Sequence, residues 1–92
     1  MATLVLPAEL TSAQATACLG MLLEGLKQAG EEMVVADANM LERFDSSAIA
    51  VLLECRREAV ALGKRFSVRA MPERLRELAG LYGVAGLLPA EP

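Results

Sequence analysis

The chain has no histidine, no tryptophan and only two cysteines, and aromatic residues make up 3% of its 92 positions. Without histidine the commonest general base and metal ligand is missing, and the Ser-His and Cys-His nucleophile pairs go with it. Cys18 and Cys55 stand far apart, in neither a CxxC nor a zinc spacing, and both fall on apolar stripes of predicted helices. They read as buried thiols of a reducing cytosol. Phe44, Phe66 and Tyr82 are the whole aromatic complement, too few for a platform on which bases or sugars stack. The seven glycines never fall in GxGxxG or GxxxxGKS/T order, so no phosphate loop is present. Nothing before Lys27 is basic, and no apolar run approaches the roughly 18 residues of a membrane span. A cytoplasmic protein is therefore expected.

The net charge of −3 opposes nonspecific binding to nucleic acid, which depends on neutralising phosphates. Its distribution is uneven. Up to Glu42 there are six acids against the single base Lys27, and from Arg43 onward eight bases against six acids. Such asymmetry fits either a docking face or ordinary solvated helix surfaces. With 54% hydrophobic residues and sixteen each of Leu and Ala, the chain can close one compact aliphatic core.

Thr3 to Leu6 is a short apolar run stopped by Pro7, which cannot donate to a ladder, and reads as a strand. Thr11 opens a helix, with Gln14 at capping-box spacing and Ala15, Cys18, Leu19, Leu22, Leu23 and Leu26 recurring at the 3.6-residue period; Gly30 is placed to end it. Met33 to Ala36 lacks polar alternation, as a central strand covered on both faces does. After a connection from Asp37 to Phe44, Asp45-Ser46-Ser47 starts a second helix with an inner stripe of Ile49, Leu52, Leu53, Ala59 and Val60. Gly63 closes it, with Arg56, Arg57, Lys64 and Arg65 near its negative end. Phe66, Val68 and Ala70 alternate with Ser67 and Arg69, which predicts a strand with one wetter face, near an edge. A third helix has Pro72 in its first turn, then Glu73, and a buried stripe of Leu75, Leu78, Ala79 and Tyr82 before Gly83. Val84 to Leu88 forms a last strand or packs, and Pro89 stops it. Met21, Met33 and Met71 read as core filler; Met40, in the long connection, is a candidate partner contact.

Alternating strands and helices predict an α/β fold: a mostly parallel or mixed sheet of about four strands with helices packed against it, as one domain over residues 1–92. Sites in such sheets gather in loops at the carboxyl ends of strands. There the segment Phe44-Asp45-Ser46-Ser47 puts small hydroxyl residues at an exposed helix start. Free N–H groups and the helix dipole at such a place suit an anion, including a phosphoryl group carried on serine, although a simple cap also explains the residues. No base, GxSxG elbow or SxxK pairing accompanies the serines, so neither is a good nucleophile on this chain's own groups. Glu54 and Glu58 share a helix face with Arg57 and read as surface charge pairing. The chain is expected not to be an enzyme, with no cofactor and no metal. Anionic headgroup binding before Ser46 is a weaker expectation, because no basic cluster accompanies the helix start.

The turn Pro7-Ala8-Glu9-Leu10, the order of elements, and above all Asp45-Ser46-Ser47-Ala48-Ile49-Ala50-Val51-Leu52-Leu53 resemble the STAS domain family (sulfate transporter and anti-sigma factor antagonist). The likeness covers nearly the whole chain. It implies that Ser46, following Asp45, is the position that a partner kinase phosphorylates or that contacts a partner unmodified, with Ser47 beside it and Thr11, Met40 and Phe44 as secondary contacts. Arg74 to Val84, followed by Leu87-Leu88-Pro89, is most similar to the small stand-alone STAS subunit of the Mla phospholipid-transport ABC system. That similarity implies a noncatalytic subunit bound to the transporter's ATPase, peripheral to the inner membrane through that partner. The alternative it leaves is an anti-sigma factor antagonist whose partner is an anti-sigma factor kinase. Two departures from phosphorylated members weaken the alternative. Thr11 replaces an aspartate at the first turn, and Ala48 replaces a glycine, adding a methyl where a kinase must approach.

Overall fold

A computed structural model describes residues 1–91. Five strands and three helices follow one another as β1 (Ala2–Val5), β2 (Glu9–Leu10), α1 (Ser12–Gln28), β3 (Met33–Asp37), β4 (Arg43–Phe44), α2 (Ser46–Ala61), β5 (Arg65–Arg69) and α3 (Glu73–Leu81). A single 3₁₀ turn, Ala85–Leu87, comes after α3. The expected α/β fold of mostly parallel strands with helices packed against them is found, its strands divided between a three-stranded sheet in the order β1-β3-β5 and a two-residue ladder of β2 with β4. Every pairing between these strands is parallel.

Register explains which side chains meet. Leu4 lies opposite Ala36 and Ala36 opposite Val68, while Val34 lies opposite Phe66. All five belong to the core that α1 and α2 cover, together with the fully buried Leu10, Leu26, Leu52, Leu75 and Leu88. Each such leucine contributes roughly 1.5–3 kcal/mol by leaving water. The other sheet face carries Thr3, Val35 and Ser67 in one row and Val5, Asp37 and Arg69 in the next. Val35 is buried there too, so the expectation of a central strand covered on both faces holds for β3. For β5 the wetter face is corrected: Ser67 is buried, and its hydroxyl has no hydrogen-bond partner among the described residues.

The helix boundaries follow local chemistry. Thr11 caps α1 and forms the complete capping box with Gln14, whose Oε1 accepts from the Thr11 backbone N–H at 2.9 Å. The helix ends through an extended Ala29, one residue before the expected Gly30. Gly63 and Gly83, at φ +74° and +73°, turn the chain out of α2 and α3 through the left-handed conformation that a Cβ disfavours. Lys64 does not serve α2's end as expected; its Nζ donates to the carbonyls of Ala29 and Glu31, at the far end of α1. Pro72 precedes α3 as its cap. Val60, Tyr82 and Met21 are corrections: all three lie exposed, outside the sectors of their helices that face the core.

The sheet's two edges differ. Along β5, the Val68 N–H donates to the Pro89 carbonyl and the Glu91 N–H donates back to Val68, so the segment after the 3₁₀ turn lies beside the strand. Arg69 holds that segment through Glu91, at 2.7 and 2.8 Å, and also reaches Asp37. No strand therefore forms over Val84 to Leu88; the pairing falls just after it. Along β1, no strand lies outside among the described residues.

Candidate functional site

The β2–β4 ladder builds the site. It places Leu10 directly opposite Phe44, so that the next residue on each strand, Thr11 and Asp45, begins a helix beside the other. The Glu42 and Arg43 N–H groups donate to the Ala8 carbonyl and hold the two helix-leading segments side by side. One carboxylate then serves both helices. Asp45 Oδ1 accepts from the Ser47 N–H at 2.8 Å, which caps α2, and Oδ2 accepts from the Ser12 N–H at 3.2 Å, in the first turn of α1. Chiefly the Ser47 N–H, with that of Ser12, holds the Asp45 carboxyl below the usual carboxylate range, against the opposing effect of burial.

Ser46 is the first residue of α2 and exposed, and Ser47 is half-buried. Two shallow grooves flank this end, one reaching Ser47 and the other Asp45. One, of about 350 Å³ between α1 and α2, is lined by Ser47 with Ala15, Thr16, Leu19, Ala50 and Glu54 among others. The second, of about 330 Å³, is lined by Phe44, Asp45, Arg74, Glu77, Leu78 and Leu81. Phe44 is half-buried, and the Arg74 guanidinium stands 5.3 Å from its ring centroid, within cation–π range. Leu81, 83% exposed, offers an apolar surface at that groove.

Asp45, Ser46, Ser47, Thr11 and Phe44 are thus brought to one end of the molecule. Met40 is not: it lines a separate cleft with Val5 and Met21, which shares no lining residue with the two grooves. Reading the sequence missed Ser12, Arg74 and Leu81 as site residues, all of which arrive through tertiary packing; α3 carries two of them, within the Arg74–Val84 segment that the resemblance singles out. Ala48 is fully buried, so the methyl that stands in place of a glycine hydrogen lies in the core.

The carboxylates of this end are already engaged. Both Asp45 oxygens are engaged by N–H groups, and Glu54 is tied to Arg57 by hydrogen bonds of 2.6 and 2.8 Å, the surface pairing expected of it. Neither stands as a base for a serine. The thiols are remote from chemistry as well: Cys18 and Cys55 are free and buried, and burial pushes the Cys55 thiol up to about 12. No helix among the described residues is long and apolar enough to cross a membrane.

A parallel sheet with both main helices on one face, and a serine-bearing helix start at the carboxyl end of its strands, define an α/β module of the STAS type. The chain belongs to the STAS domain family: the family model described as "Mlab, STAS domain" matches residues 1–89. No curated protein matches the chain in sequence. Similar solved structures include a candidate anti-sigma factor antagonist of Thermotoga maritima, at a TM-score of 0.79 and 15% identity over 96% of this chain and 77% of that one. Another is the anti-sigma factor antagonist SpoIIAA in its unphosphorylated form, at 0.75 and 18% identity over 99% of this chain and 81% of that one. At such identities the likeness is one of fold.

Proposed function

We propose that the chain is a noncatalytic cytoplasmic module that docks a partner protein through the Asp45–Ser46–Ser47 end, and that Ser46 is phosphorylated by an anti-sigma factor kinase. The observation that carries the reading is an exposed serine hydroxyl on a helix start fixed from both sides, by the shared Asp45 carboxylate and by the β2–β4 ladder. A pre-positioned contact loses little entropy on binding. The burial of Ala48, whose methyl lies in the core and not at the surface, supports the approach of a kinase to Ser46. Two of the similar structures are described as anti-sigma factor antagonists or candidates for that role, which favours the same reading.

In the step proposed, the Ser46 Oγ attacks the γ-phosphorus of ATP, ADP leaves, and the kinase supplies the base that takes the hydroxyl proton. The added charge of about −1.5 to −2 stands next to Asp45 and reverses the welcome that the helix start gives to an acidic partner surface.

A second reading has its own support: the family model carries the name Mlab, and the segment from Arg74 to Pro89 resembles the STAS subunit of an Mla-type transporter. There the unmodified Ser46 end binds the ATPase subunit, and the protein sits at the inner membrane through that complex. Intact mass spectrometry of protein recovered from cells, with identification of what co-purifies, separates the two. A phosphoryl adduct on Ser46 with a bound kinase supports the first, and an unmodified serine with ATPase and permease subunits supports the second. Recovery of neither partner by soluble, folded protein, or partner binding that survives Ser46→Arg, refutes docking at this end. Ser46→Arg itself is expected to move stability by about 0.5 kcal/mol or less, as surface changes outside caps do.

A further inference from the structure

The geometry points to a second docking surface, independent of Ser46: the outer edge of β1 and the cleft beside it accept an extended basic segment of a partner protein as an added strand. The edge is open for a definable reason. The Leu6 N–H donates to the Asp37 carbonyl on β3, and since successive residues of a strand bond to opposite sides, Thr3 and Val5 turn their N–H and C=O groups away from β3. No strand meets them among the described residues, whereas the opposite edge is occupied by the Pro89–Glu91 segment. An unpaired row of this kind is a template for another chain, and β-strand addition is the recognition mode that uses it.

The surroundings specify what side chains the added strand brings. A cleft of about 520 Å³ opens at the end of β1, lined by Val5, Pro7, Glu9, Ala17, Met21 and Met40 among others. Met21 is 74% exposed, and Val5 and Met40 are each 58% exposed, so three flexible or branched apolar side chains await partners. Methionine suits such a surface because it adapts to what it meets. The rim is acidic. Glu9 lines the cleft, Glu24 follows Met21 by one helical turn, and Glu42 is two residues beyond Met40 with its N–H on the Ala8 carbonyl. Against them stand Arg43, which is paired with Glu9, and Lys27, which follows Glu24 on α1. A second copy of this chain would bring the same acids to the same edge, which disfavours self-pairing; a segment alternating apolar residues with Lys or Arg satisfies backbone, cleft and rim together.

The probe is a capped heptapeptide alternating lysine and valine, titrated into the full 92-residue chain labelled for amide and methionine-methyl NMR. The expected result is displacement of the Thr3 and Val5 amide signals and of the Met21 and Met40 methyls, with hydrogen exchange at Thr3 and Val5 slowed about tenfold at saturation. Thr3→Pro removes an outward donor without touching the β1–β3 ladder and is expected to abolish the response. Val5→Lys, at an exposed position, is expected to weaken it severalfold through like charge, and Ser46→Arg to leave it unchanged. No response, an equal response to the glutamate–valine peptide, or changes confined to Asp45 and Ser46 would overturn the inference. So would displacement of the β1 signals with protein concentration alone, because then a second copy fills the edge.

Discussion

Helix α1 contains two glycines whose surroundings differ in one respect, and alanine at each should have unequal consequences. A Cβ at Gly20 meets nothing within 4 Å, whereas one at Gly25 lies 3.0 Å from Leu4 Cδ2 on β1. Alanine in place of a glycine inside a helix gains about 0.8–1.0 kcal/mol of intrinsic propensity. Gly20→Ala receives all of it, and since about 1 kcal/mol moves the midpoint of a domain this small by about 4–8 °C, its Tm should rise by that amount. Gly25→Ala receives the same gain but pushes Leu4, which is 8% exposed and packed in the core, off its place. Forcing a side chain out of its rotamer costs about 0.5–1.5 kcal/mol, so most or all of the gain is cancelled and the net change is near zero. Far-UV circular dichroism during thermal and urea unfolding measures both variants. Equal stabilisation by the two would refute the close approach of α1 to β1. A double-mutant cycle with Leu4→Ala gives a second check, because shortening Leu4 should restore the full alanine gain at position 25.

Thr11→Ala removes the side chain that accepts from the Ala13 N–H and shares Gln14 in the capping box; it should lower stability by about 0.5–2 kcal/mol in urea unfolding, with Thr11→Ser restoring most of it. Asp45 and Glu91 have carboxyls held below their ordinary values near 3.8 and 4.5, the first by the Ser47 N–H and the second by Arg69. A carboxyl with a depressed folded pKa contributes stability that is present above the unfolded value and lost as pH falls through the folded one. The Tm should therefore decline below the ordinary carboxylate range, and Asp45→Asn should flatten that decline in a pH series. Cys55, pushed up to about 12 by burial, has almost no thiolate near neutral pH. A disulfide reagent should label it only through unfolding, and rapid labelling of the native protein would contradict its burial.

The helices were legible because their signals are local. The Thr11–Gln14 box, the Asp45 cap and the left-handed glycines each operate within a few residues, and the 3.6-residue period does the rest. Stripe margins were less legible: Val60, Tyr82 and Met21 are apolar at helical spacing yet exposed, since neighbouring elements cover only a sector of each helix. The β2–β4 ladder was not legible at all, because two residues carry no periodicity and their pairing joins segments far apart in sequence, Leu10 to Phe44. Of the candidate site, Asp45, Ser46 and Ser47 stand together in the sequence, while Ser12, Arg74 and Leu81 join them through contacts no local pattern encodes.

The double duty of Asp45 reaches beyond capping. Its two oxygens answer to different helices, one through the Ser12 N–H and the other through that of Ser47. An event that draws the carboxylate elsewhere takes a hydrogen bond from the first turn of each helix at once, while the buried core still holds the two together. Whatever grips the serine beside it thereby gains a handle on the far helix as well.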